Sequence, residues 1–167
     1  MAFQFHFEWD PAKARQNARK HRVRFERGAT VFLDPNALSL FDDQPSEEEK
    51  RWITLGLDET GVLLVISHTY HEEAEQSARV RLISARKATK NEKKQYQRKE
   101  NMRREYDFSK AVRGKFYRKG AELRLPIYLD PKLQSKLERI ARRKGKDVTE
   151  MVNQLLRKDV EFLEELT

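Results

Sequence analysis

Aromatic and polar residues alternate at the start of the chain. Phe3, Phe5 and Phe7 of FQFHFEW fall on one face of an extended segment, which predicts a strand ending at Asp10. Asp10 can then N-cap a helix with Pro11 in its first position, opening the strongly basic stretch PAKARQNARKH. Phe25, Ala29 and Phe32 recur at i, i+4 and i+7 and predict a second short helix that stops near Asp34-Pro35. Four apolar runs follow, ALSLF, RWITLGL, VLLVISHTY and RVRLISA, separated by turn and acidic segments. Residues 51–70 read as a hairpin about Gly61, and four strands in succession predict an antiparallel or mixed sheet. Thr89 and Glu92 form a T-x-x-E capping box for a polar helix running through Tyr96 toward Met102.

The pattern changes after Met102. Residues 102–120 are basic with scattered aromatics, Tyr106, Phe108, Phe116 and Tyr117, and show no clean period, which predicts an arm. AELRLPIYL then alternates, with Leu123, Leu125, Ile127 and Leu129 on one side and Glu122, Arg124, Pro126 and Tyr128 on the other. Pro126 has no N–H to give to a ladder, so the paired part should span residues 121–125. Asp130-Pro131 opens a helix with the apolar stripe Leu133, Leu137, Ile140 and Ala141, closed by Gly145. Asp147 and Glu150 open the last helix, whose stripe is Val152, Leu155, Leu156, Val160 and Leu163. One strand and two helices of this size cannot enclose a core, so an obligate homodimer or higher even oligomer is expected. Strand, helix, helix with an outward Arg is the layout of a ribbon-helix-helix module, whose paired strands enter the major groove of DNA. On that layout Arg124 is the base reader, Glu122 and Tyr128 are its neighbours, and the last helix holds phosphate at Val148 and Thr149.

Charge sharpens this division. Of the net +8, residues 1–101 carry +2 (18 Lys/Arg against 16 Asp/Glu) and residues 102–167 carry +6 (17 against 11). A basic surplus of this kind points to nucleic acid as a partner. At 167 residues the chain suits two small domains, and the absence of Cys removes disulfides, thiolate catalysis and Cys-ligated zinc. No run of 18 apolar residues and no basic n-region occur, so no membrane span is expected and the cytoplasm is the expected compartment. The acids gather at Asp42, Asp43, Glu47, Glu48 and Glu49, a charge run expected to be a solvated loop; no metal and no cofactor are expected.

Two family resemblances follow from longer motifs. YDFS-x-x-x-RGKFY, LRLPIYLD and DVTEMVNQLLRKD make residues 102–167 resemble an antitoxin of the CopG/BrnA type, with Met102 where such a protein would begin. FEWDPAKARQNARKHRVRFERGATVFLD, RWITLG and RVRLISARKATKNEKKQY make residues 3–98 resemble the BrnT family of ribonuclease toxins, which implies a RelE-like fold. The expected fold is therefore α+β: a RelE-like α/β toxin domain with a mostly antiparallel sheet over residues 1–101, an arm and linker over 102–120, and a ribbon-helix-helix domain over 121–167. The implied function is a type II toxin-antitoxin fusion. A metal-independent RNA endonuclease that inhibits translation is neutralised by its antitoxin part, which binds operator DNA and represses its own transcription. The enzyme would then be active in the isolated first domain and inhibited in the intact chain. The alternative is a DNA-binding transcriptional regulator whose nuclease-like domain is catalytically silent.

Metal-free RNA cleavage needs an activated 2′-OH, a stabilised phosphorane and a protonated leaving oxygen. The candidates are Arg51, His68, Arg81, Arg86 and Tyr96 for catalysis, and Lys20, His21 and Arg79 for RNA binding. Arg79 and Arg81 alternate with Val80 and Leu82, so the arginines should look onto a groove while the apolar pair packs a core. Arg81 and Arg86 are the phosphate forks; His68 or His21 is the acid or base, with Tyr96 a weaker candidate. Tyr106, Phe108, Phe116 and Tyr117 of the arm are the expected neutralising anchors, covering the basic groove through aromatic contacts rather than charge.

Overall fold

The computed structural model describes residues 1–42, 50–97 and 107–166. Asp43, Glu47, Glu48, Glu49, Met102 and Tyr106 lie outside the described residues. The chain divides into two compact units, residues 1–126 and 127–167. The arm and the first residues of AELRLPIYL thus belong to the first unit.

That unit is built on β1 (Gln4–Glu8), α1 (Pro11–His21), α2 (Phe25–Ala29), β2 (Leu38–Asp42), β3 (Arg51–Leu57), β4 (Leu63–Ala74), β5 (Ser77–Lys87), α3 (Lys90–Gln97), β6 (Val112–Arg113) and β7 (Glu122–Arg124). Its strands form one sheet in the order β6-β2-β3-β4-β5-β1-β7. The sheet is mixed rather than mostly antiparallel, because β1 runs parallel to both β5 and β7. Hairpin logic orients only neighbours in sequence, and β1 reaches β5 across the whole of the intervening chain. The β4–β5 hairpin also runs further than its apolar pattern, to Ala74 and from Ser77, with a register shift between Ser67 and His68.

Local signals account for most of the element ends. The Asp10 carboxylate accepts from the Ala12 and Lys13 amides, and Arg22 closes α1 in the left-handed region at φ 56°. The Thr89–Glu92 box forms reciprocally at α3. Asn17 fastens α1 to the sheet: its Nδ2 donates to the carbonyls of Val23 and Ala85, and its Oδ1 accepts from the Ala85 amide.

Each face of the sheet carries its own core. On one, α1, α2 and the turn after them cover Phe5, Phe7, Phe32, Leu64, Ile66, Val80 and Leu82. On the other, Leu38, Ile53, Leu55, Leu63 and Val65 pack beneath Tyr96 and Phe108.

The second unit holds α4 (Pro131–Lys144) and α5 (Val148–Glu165). Asp130 and Asp147 cap their N-termini and Gly145 ends α4 at φ 60°, as the sequence predicts. Their apolar stripe is bare: Leu133, Ile140, Leu155, Leu156 and Val160 are all exposed, while Ala141 and Met151 are buried.

Candidate RNA-cleavage face

Strand register sorts the candidate residues between the two faces. Asp42 pairs with Arg51, Arg51 with Thr69, Thr69 with Arg81, and Arg81 with Glu8, so these five form one row across five adjacent strands. Two residues further along, His71 pairs with Arg79 and Arg79 with His6, in a second row on the same face. Arg51, Arg79 and Arg81 are therefore brought together, on the face opposite Phe5, Val80 and Leu82. The Nε of Arg51 is shielded from solvent and has no hydrogen-bond partner among the described residues. Arg79 pairs with Glu73, whose other oxygen lies 3.2 Å from His6 Nδ1, and the Arg79 side chain stays 54% exposed.

His68 is not on this face. It is fully buried on the other side of the sheet, in edge contact with the rings of Phe32 and Phe116. Its Nδ1–H donates to the Thr69 carbonyl (3.2 Å), which leaves Nε2 to accept from Thr54 Oγ1 (2.8 Å), itself 2.8 Å from Ser39 Oγ. Burial pushes its pKa down to about 4, so the ring is neutral near pH 7 and closed to RNA. The sequence signal places a histidine in a strand; the face depends on register, and it is His71, with His6, that shares a face with the arginines.

Tyr96 and Arg86 are also occupied. The Tyr96 hydroxyl donates to Asp34 Oδ2 (2.8 Å), and its pKa is raised above the ordinary phenol value by burial first and then by that carboxylate. A phenol so placed is no base. Arg86 meets the buried Glu92 in a two-pronged pair at 2.9 and 2.7 Å. Burial raises the Glu92 carboxyl, but the Arg86 guanidinium and the Thr89 amide outweigh it and hold its pKa low. Lys20 and His21 end α1, where burial and then the charges of Lys20 and Arg86 lower the His21 pKa.

The arm clasps the β2 side of the sheet. Phe108 enters one core, with its amide on Gln95 Oε1 at 2.8 Å. β6 pairs with Leu38 and Ser39, and the Gly114 amide donates to the Ala37 carbonyl at 2.7 Å. Gly114 has φ 64°, and a Cβ there would meet the Pro35 carbonyl oxygen at 2.9 Å, so glycine is required. Phe116 then enters the opposite core, 4.4 Å from the Tyr70 ring and 5.3 Å from that of Trp52. Tyr117 closes a turn onto the Gly114 carbonyl. Phe108 and Phe116 insert at the sheet's border and in its cores, whereas the arm was expected to cover the basic groove with all four aromatics. A solvent-connected cavity of about 630 Å³ opens beside Phe116, lined by Lys50, Trp52, Tyr70, Lys115 and Arg118 among others. Sequence reasoning passed over Trp52, Tyr70, Arg113 and Gly114 because their roles exist only with the arm in place.

Of the residues expected at DNA, Arg124 donates to Glu122 Oε2 at 3.0 Å and both are exposed, as is Tyr128. Val148 and Thr149 form the first turn of α5, where the Asp147 carboxylate accepts the Glu150 amide. Among the described residues no group of three or more His, Asp or Glu could hold a metal ion, and no helix is long and apolar enough to cross a membrane.

A protein-family model described as the ribonuclease toxin, BrnT, of type II toxin-antitoxin system matches residues 9–92. No curated protein matches the chain. Among solved structures, the 1.1 Å crystal structure of the Brucella abortus ribonuclease toxin BrnT is similar at 15% identity, over 52% of this chain and 99% of that one, with a TM-score of 0.36.

Proposed function

This chain belongs to the BrnT ribonuclease toxin family of type II toxin-antitoxin systems, and we propose that it joins such a toxin to its own neutralising and DNA-binding segments. The first unit would cleave RNA without a metal. The row Asp42, Arg51, Thr69, Arg81, Glu8 carries this reading, because it sets two guanidinium groups on either side of one strand and a carboxylate at each end. Adjacent strands lie about 4.8 Å apart, so the backbones at Arg51 and Arg81, two strands apart, are separated by about 10 Å; their long side chains can converge from there on one phosphodiester and offset the charge that grows on its oxygens. Glu8 and His71, which share this face with Asp42 and His6, are the titratable groups proposed to move the 2′-OH and leaving-group protons.

The antitoxin part acts in two places. Residues 107–120 hold the toxin sheet through Phe108, β6 and Phe116, and residues 121–167 form a ribbon-helix-helix dimer that reads operator DNA through Arg124 and represses its own transcription. The bare stripe of α4 and α5 supports the dimer, since two short helices leave too much apolar surface in water to stand alone. Sharing one chain keeps the inhibitor at high effective concentration, so the intact protein is inactive as a nuclease.

Expression of residues 1–101 alone tests this. Growth arrest with RNA cleavage, relieved by Arg81→Ala, is the expected result; growth as robust as with the full chain would overturn it. The competing reading, a DNA-binding regulator with a silent nuclease-like domain, is favoured by the pairing of Arg79 with Glu73 and Arg86 with Glu92. It requires residues 1–101 to leave RNA intact.

A further inference from the structure

The strand that carries Arg124 is already in use. Glu122, Leu123 and Arg124 pair in parallel with Gln4, Phe5 and His6, and the Glu122 amide donates to the Phe3 carbonyl at 2.8 Å. Ala121 and Leu123 pack on the core that contains Phe5 and Phe32. In a ribbon-helix-helix dimer the same Leu123 has to turn onto the two helices, while the backbone on one side of the strand pairs with a second copy. One side chain fills one core at a time. The stripe of α4 and α5 that would receive it is meanwhile exposed.

We infer that the outer edge of β1 is a docking surface for Glu122–Arg124, and that a second copy of this chain competes with it for those residues. The inference rests on the ribbon-helix-helix proposal for residues 121–167. The docked pairing is three residues long and is followed at once by Pro126, which cannot extend the ladder. A pairing that short exchanges readily, and the fraction of chains with β7 undocked sets the apparent strength of self-association. Phe108 and β6 hold the toxin sheet elsewhere, in the other core and at the β2 border, and Phe116 is further fixed by the rings of Trp52 and Tyr70, so undocking β7 leaves the rest of the arm in place.

The chain contains no cysteine, so a single disulfide can be placed without interference. In full-length protein carrying Gln4→Cys and Glu122→Cys, which face each other in register, sedimentation measures self-association before and after reduction with dithiothreitol. The oxidised form should self-associate about 10-fold more weakly or worse, and reduction should restore the unmodified behaviour. Equal dimerisation of oxidised and reduced forms would overturn the inference and leave the ribbon-helix-helix reading standing. A monomer in the unmodified and reduced chains at every concentration would overturn that reading, and the inference with it. Amide exchange on the unmodified chain gives a second test that needs no variant: the Phe5 amide should lose protection as dimer forms, while that of Arg124, which faces β1 in the docked strand, is retained or that of Leu123, which faces outward, is gained. Unchanged protection at Phe5 would also overturn it.

Discussion

His68 gives its Nδ1–H to the Thr69 carbonyl under Phe32 and Phe116, and burial holds its pKa at about 4 against the ordinary 6.5. A histidine depressed in the folded state takes up its proton only when the chain unfolds. The stability it contributes is therefore complete above about pH 6.5 and is lost as pH falls toward 4, to the extent of about 3 kcal/mol. Denaturant titrations at pH 7 and pH 4.5 should show this loss, and His68→Gln should flatten it. The arginines separate by the same logic of surroundings. On their proposed phosphate-gripping role, Arg51→Ala or Arg81→Ala in residues 1–101 should lower RNA cleavage by about 100-fold or more with little change in stability. Arg86→Ala should instead cost about 3 kcal/mol of stability, because Glu92 is left buried without its partner; a melting curve distinguishes the two outcomes. The sequence shows which residue types are present at this scale. Which of two histidines three positions apart faces the arginines is settled by strand register, and no local pattern reports that.

At the scale of elements, what was legible and what was not divide by distance along the chain. Asp10, Thr89 with Glu92, Asp130 and Asp147 each cap the helix that their local motif predicts, because a cap involves residues two or three apart. The parallel seat of β1 between β5 and β7 was not legible, nor was the insertion of Phe116 beside residues about 40 to 80 positions earlier. The polar end of β4 escaped for another reason: HEEA is exposed and has no apolar face to bury, and at the start of β5 a single buried Ala78 is too little alternation to read. Phe116→Ala should destabilise the first unit by about 3 kcal/mol through the cavity it leaves. On the proposed neutralising role it should also raise RNA cleavage by the full chain, which a fluorogenic RNA substrate would report. Gly114→Ala should act in the same direction, since the added methyl meets the Pro35 carbonyl in a left-handed backbone.

For the whole molecule, the uneven charge and the bare helical stripe have separate signatures. On the proposed operator binding, the affinity of the full chain for DNA should weaken steeply as salt rises, in proportion to the phosphates that its basic residues 102–167 would neutralise. On the proposed ribbon-helix-helix dimer, Val160→Asp should abolish both self-association and DNA binding while leaving the first unit folded, as sedimentation, a DNA-binding assay and circular dichroism together would show. The sheet order has a different consequence. Its two outermost strands, β6 and β7, come from the arm and from the start of the antitoxin-like segment, so the toxin portion borrows both of its borders. Cut free of residues 107–126, it would present the open N–H and C=O rows of β1 and β2 to any other chain, and such rows template aggregation. On the proposed activity, a toxin portion so freed would carry its own clock, losing soluble activity by strand-to-strand clumping.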